Sequence, residues 1–303
     1  MMRLITLLFF LSQALWIATV HAAEASANDA YAQAVRIEQE IGLIKRHYKV
    51  SGKIDFTPLR NIEMKPEHVW SRAYVILLKL GKFRRGHGLP YVEPISIEPV
   101  LDMPPNPVWA MTQRIFNEIE ILKFFLDIPG QMPAVVRVSG KKPLDVYNKL
   151  TQVSLELDLI NGATSPSEVY SEAKRINEDV NQVLRQLRIF EAAVPPPRRS
   201  NLQPKDSLYA VFAVLAEIQR IQRGYGLKPV DFKAFDKGDK TVPDEVLMMV
   251  ELTLTEFQRI KFHLGMTHAI TPPSTYAEDK KPDDVVQLLG YITDKLQEIK
   301  VKE

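Results

Sequence analysis

The chain has 303 residues, 46% of them apolar and 25% charged, with 39 basic against 37 acidic side chains and no cysteine. That composition suits one large folded domain or two of medium size and argues against disorder as the main state. The absence of cysteine excludes disulfides, thiolate metal sites, covalent c-type haem and a lipidated cysteine, and the near-zero net charge offers no electrostatic footprint for nucleic acid or bulk anionic membrane.

Residues 1–22 stand apart. Met1-Met2-Arg3 carries one positive charge, Leu4 to Val20 is almost wholly apolar, and Val20-His21-Ala22 places small residues at minus three and minus one. The pattern predicts a cleaved secretory signal. Its apolar run is at the short edge of a membrane span, which leaves an uncleaved N-terminal anchor as the alternative. No second span follows, and an exported chain without cysteine points to a bacterial periplasm.

From about Asn28 to Ile160 the sequence reads once, and from Ser167 to Ile299 it reads again, shifted by 138 or 139 residues. Arg85-Gly86-His87-Gly88-Leu89 answers Arg223-Gly224-Tyr225-Gly226-Leu227, and Lys141-Lys142-Pro143 answers Lys280-Lys281-Pro282. The expected organisation is therefore a tandem duplication, 23–163 and 164–303, sharing a continuous core.

Inside each half a shorter unit recurs, headed by a proline at positions 66, 105, 143, 166, 204, 243 and 282, with an eighth start near Asn28. Proline suits the first turn of a helix because its missing N–H has no partner there, and acidic residues just after it complement the helix dipole. Apolar residues then follow at three-four spacing: Ala30, Ala34, Ile37, Ile41 and Ile44 in the first unit, Val146, Leu150, Val153, Leu157 and Ile160 in the fourth. Val169, Ala173, Ile176, Val180 and Val183, and Val285, Leu289, Ile292, Leu296 and Ile299, repeat the pattern. The prediction is an all-α protein of eight amphipathic helices of about 20 residues, four per half, packed as a bundle.

The connectors are long and proline-rich. An extended connector of such length runs back along a whole helix, so successive helices within a half are either parallel or antiparallel. Between Ile160 and Ser167 the chain is short, and there an antiparallel helix pair is expected.

Candidate sites stand beside plainer accounts. An aromatic residue near six of the eight helix starts, Tyr31, Trp70, Trp109, Tyr147, Tyr170 and Tyr209, replaced by Leu247 and Val286 in the other two, either builds a stacking pocket around Trp70, Trp109 and Tyr147 or staples each helix to the chain beside it, and the repetition favours the staple. Arg84, Arg85 and His87, with Arg220, Arg223 and Tyr225, either grip an anion or belong to ordinary glycine-terminated helix ends, and the second reading is the stronger. His263 and His268 with His47 or His68 make a poor metal set, and no metal or other cofactor is expected. Glu118 with Glu120, and Glu251 with Glu256, read as solvated helix faces. Met111, Met248 and Met249 read as core, and Pro195-Pro196-Pro197-Arg198-Arg199 as a stiff spacer.

The sequence thus leads to an exported, non-enzymatic helical-repeat interaction or scaffold protein whose partner is another periplasmic or envelope protein. The alternative is a periplasmic small-ligand receptor with a pocket between helices. No nucleic-acid partner and no membrane domain beyond the signal segment are expected.

Overall fold

Each of the seven prolines is the first residue of an α-helix in the computed structural model, which describes residues 25–301 apart from 91, 93, 94 and 131–133. The helices are α1 (Ala27–His47), α2 (Pro66–Gly86), α3 (Pro105–Phe125), α4 (Pro143–Asn161), α5 (Pro166–Gln186), α6 (Pro204–Gly224), α7 (Pro243–His263) and α8 (Pro282–Gln297). The predicted signal, 1–22, lies outside the described residues. Among the described residues the only pairing of extended backbone is an isolated bridge between Ile97 and Thr271, and no helix is long and apolar enough to cross a membrane.

Local chemistry sets both helix ends. Three residues in from the cap, a side chain reaches back to the cap N–H: His68 Nδ1 accepts from Lys65 at 3.0 Å, Glu168 from Ser165 at 2.7 Å and Glu245 from Val242 at 3.0 Å. These bonds satisfy donors that a helix start leaves free. In α3 that position is Pro107, and the device is missing. At the other end a left-handed residue reverses the chain. Gly88, Gly226 and Gly265 have φ of +66°, +73° and +71°, and the N–H of the following residue returns to the last turn, as Leu227 does to Gln222 O at 2.8 Å.

All four helices of each half point the same way. Ser26, Pro66, Pro105 and Pro143 meet at one end of the first half, and Pro166, Pro204, Pro243 and Pro282 at one end of the second. The connectors, such as 48–65 and 87–104, therefore return along the full bundle. At about 1.5 Å per helical and 3.3 Å per extended residue, they have ample length to do so.

The four helices of each half form the same ring. In the first, α1 and α2 each pack on both α3 and α4; in the second, α5 and α6 each pack on both α7 and α8. The apolar stripes named above point inward and are buried, with Ile160 at the margin. Several polar contacts recur at matching positions. Lys123 pairs with Glu40 between α3 and α1, and Lys261 with Asp179 between α7 and α5. Arg84 pairs with Glu118 between α2 and α3, and Gln222 donates to Glu256 between α6 and α7. The Lys141 N–H donates to Asn28 Oδ1 at 2.9 Å and the Lys280 N–H to Ser167 Oγ at 3.0 Å.

The halves meet through α2 and α7, and the buried apolar residues of both form one connected cluster. These two helices are antiparallel: His68 near the start of α2 meets Glu256 near the end of α7, while Lys79 toward the end of α2 meets Asp244 at the start of α7. The expected packed pair across the seam, α4 with α5, is not the one that forms. Gly162, at φ +78°, turns the chain sharply, and Thr164 is buried with its hydroxyl 3.4 Å from Asp244, so α5 lies against α7 and α8 instead.

Candidate functional site

The boundary between the bundles holds the strongest concentration of buried charge. From α2, Arg72 Nη2 donates to Asp244 Oδ2 at 3.0 Å, and Lys79 Nζ reaches Asp244 Oδ1 at 2.5 Å and Asp158 Oδ2 at 2.7 Å. From α5, Arg175 donates to Glu172 at 2.7 Å and to the Pro272 carbonyl at 2.9 Å, and its guanidinium lies 4.9 Å over the Tyr74 ring. Glu251 of α7 is 1% exposed, and neither of its oxygens has a hydrogen-bond partner in the protein. Arg72 Nε and Nη1 and the Tyr147 hydroxyl are likewise buried without a partner.

Electrostatics separates these carboxyl groups. Burial and the adjacent Glu172 push Glu251 well above the usual carboxylate range. Burial also lifts Asp158, to about 6, against the pull of Lys79. Burial works in the same direction on Asp244, but Arg72 and Lys79 together outweigh it and hold that group ionised. Three cations, Arg72, Lys79 and Arg175, then face four carboxyl groups, Asp158, Glu172, Asp244 and Glu251, of which burial presses Glu251 toward its neutral form. The cavity beside the cluster, lined by Lys79, Glu172 and Leu247, measures about 60 Å³. That is room for a few water molecules and not for a metabolite.

A second buried set lies nearby. His68 Nδ1 accepts from the Lys65 N–H, which places the ring proton on Nε2, 2.7 Å from Glu256. Burial raises Glu256, yet the bonds from His68 and Gln222 and the Arg259 charge 2.6 Å away hold it below its ordinary value. Glu251 and Glu256 therefore do not line a solvated face, as the sequence suggested. α7 is enclosed on all sides, because α2 covers the surface that its own bundle leaves open.

The sequence-derived candidates are dispersed. Trp70 stacks on Tyr74 at 5.8 Å, Trp109 is 40% exposed on α3, and Tyr147 is fully buried with its ring edge toward Phe235. Tyr31 and Tyr170 are each covered by a lysine, Lys141 and Lys280, from the connector entering the last helix of their half. Arg84 is buried and paired with Glu118 at 2.9 Å, and His87 packs on Phe83 and Tyr48. Arg85 lies 5.9 Å over the Tyr276 ring. Arg220 pairs with Glu217 and donates to the Leu296 and Ile299 carbonyls; Arg223 is exposed and Tyr225 stacks on His263. Among the described residues no cluster of His, Asp or Glu has an arrangement that holds a metal ion.

Large apolar side chains also stand uncovered on α3. Trp109, Ile121, Phe124 and Phe125 stand exposed on α3, Phe124 at 80%, and the following connector adds Val135 and Val136. Ala110 and Asn117 are exposed between Trp109 and Ile121, and Arg114 and Glu120 are half-buried in the same stretch. The signal was present in the sequence: Phe124 and Phe125 fall off the buried Val108, Met111, Ile115, Ile119 and Leu122 stripe. Comparison with known proteins finds no family model that matches the chain, no similar curated protein and no similar solved structure.

Proposed function

We propose that the chain is a duplicated helical unit, exported to a bacterial periplasm, that acts without catalysis as an interaction or scaffold protein through the outer face of α3. The observation that carries this reading is the exposed Trp109, Ile121, Phe124 and Phe125 stripe. Four large apolar side chains exposed on one helix of an otherwise well-packed chain mark a surface that another surface covers. Of the corresponding α7 residues, Leu247 and Arg259 are buried within the chain while Phe262 and His263 are exposed, which supports reading the Trp109 and Ile121 part of the α3 face as a surface of the kind α7 presents to α2. The small-ligand receptor is the weaker reading, because Trp70, Trp109 and Tyr147 have separate surroundings and line no common cavity among the described residues.

The test is a photo-crosslinking residue placed at Phe124 in the source cells, with Lys53, an exposed position in connector 48–65, as control. Discrete adducts from Phe124 and none from Lys53 are expected. No adduct from Phe124 contradicts the reading.

A further inference from the structure

The covered face of α7 shows what fits the uncovered face of α3. Within the chain, Leu247 of α7 sits in a recess with Leu77, Leu78 and Gly81 of α2, and Ser274 and Tyr276 of connector 264–281 line the same recess. Counted from the leading proline, Leu247 is the fifth residue of α7, and the fifth residue of α3 is Trp109. Leu77, Leu78 and Gly81 are the twelfth, thirteenth and sixteenth residues of α2. In α6 these positions are Leu215, Ala216 and Gln219.

Those three α6 residues, with Phe212, Phe232 and Lys233, line an open groove of about 470 Å³. The groove stands in α6 where the recess of α2 stands, and no helix of the first half packs on α6 as α7 packs on α2. On the receiving side Leu78 is replaced by Ala216 and Gly81 by Gln219, and on the inserting side Leu247 is replaced by the larger Trp109. The flanking segments also correspond: connector 264–281 borders the α2 recess through Ser274 and Tyr276, while connector 126–142 carries the exposed Val135 and Val136.

We infer that the α3 face of one chain docks on the α6 groove of a second copy, with Trp109 in the groove, as α7 docks on α2 within one chain. This rests on the interaction reading above and names its partner. The contact joins two different surfaces, so it is head-to-tail and leaves a free α3 face at one end and a free groove at the other. Chains therefore add in an open series, in which bundles within a chain and bundles between chains meet through matching surfaces.

Two surface variants test it by sedimentation of the full chain, with far-ultraviolet circular dichroism confirming that each keeps its helix content. Trp109→Glu removes the inserting group, and Ala216→Glu blocks the groove. Wild type is expected to rise in mean mass with concentration, and each variant alone to stay at the mass of one chain. An equimolar mixture of the two variants is expected to form a dimer and nothing larger, since one supplies the intact groove and the other the intact tryptophan. A wild type that stays a single chain at every concentration overturns the inference, as does an Ala216→Glu variant that assembles like wild type. If wild type stays single while Phe124 still gives discrete crosslinks to another protein, self-association fails and the broader interaction reading stands.

Discussion

The Arg72 guanidinium donates to the Asp244 carboxylate across the boundary between the bundles, 3.0 Å from Nη2 to Oδ2, with both side chains buried. Lys79 shares the same carboxylate from one side. Asp244 thus anchors two buried α2 cations, of which Lys79 also pairs with Asp158 and Arg72 has no other carboxylate bonded to it among the described residues. Removing it leaves both charges buried, and a broken buried pair of this kind costs about 3–5 kcal/mol. Urea denaturation of Asp244→Ala is expected to show a loss in that range at neutral pH. The double variant Arg72→Met/Asp244→Leu is expected to lose less than Asp244→Ala, because it removes the charge with its partner.

The two displaced carboxyl groups give opposite pH dependences. Asp244 is held below its unfolded value, so its contribution is present above about pH 4 and is lost as the pH falls toward its folded value. Glu251 is raised, so the folded chain binds a proton that the unfolded chain releases above about pH 4, and stability falls as the pH rises from there. Glu251→Gln keeps the shape and removes the titration. It is expected to be more stable than wild type at pH 8, with the advantage vanishing below about pH 4. An equal difference at both pH values contradicts a raised Glu251.

Helix ends provide a test that touches neither bundle boundary nor surface patch. Arg188 follows α5 with φ +56°, a conformation that glycine adopts freely and arginine does not. The reversal is otherwise complete, with the Ile189 N–H 2.9 Å from the Leu184 carbonyl. Arg188→Gly is expected to stabilise the chain by about 0.5–1 kcal/mol, and Gly226→Ala, at φ +73°, to destabilise it by about 1–2 kcal/mol, both read by thermal unfolding.

The elements were legible in the sequence because their signals are local. A proline, an acidic residue two places on and an apolar stripe specify a helix start wherever they occur, and α4, α5 and α8 follow from those features alone. The direction of packing was not legible, since a connector long enough to return along a helix is equally long enough to turn without doing so. The charge cluster was hidden for a different reason. Glu251 and Glu256 lie on a helix whose own stripe, Val246, Met249, Thr253 and Phe257, accounts for only one buried face. The second face is buried by α2, far away in the chain, and nothing local to α7 identifies that partner. The clue lay in Leu247, Met248 and Leu252, apolar residues outside the stripe.

The measurement that tests the central claim most directly is native mass spectrometry of the chain recovered without denaturation from its own source, beside the variant Trp109→Glu/Phe124→Glu. The account expects the wild type in an assembly of fixed composition, with further copies or with a partner, and the variant as a single folded chain. A wild type recovered only as a single chain, indistinguishable from the variant, would contradict the assignment of the α3 face as an interaction surface.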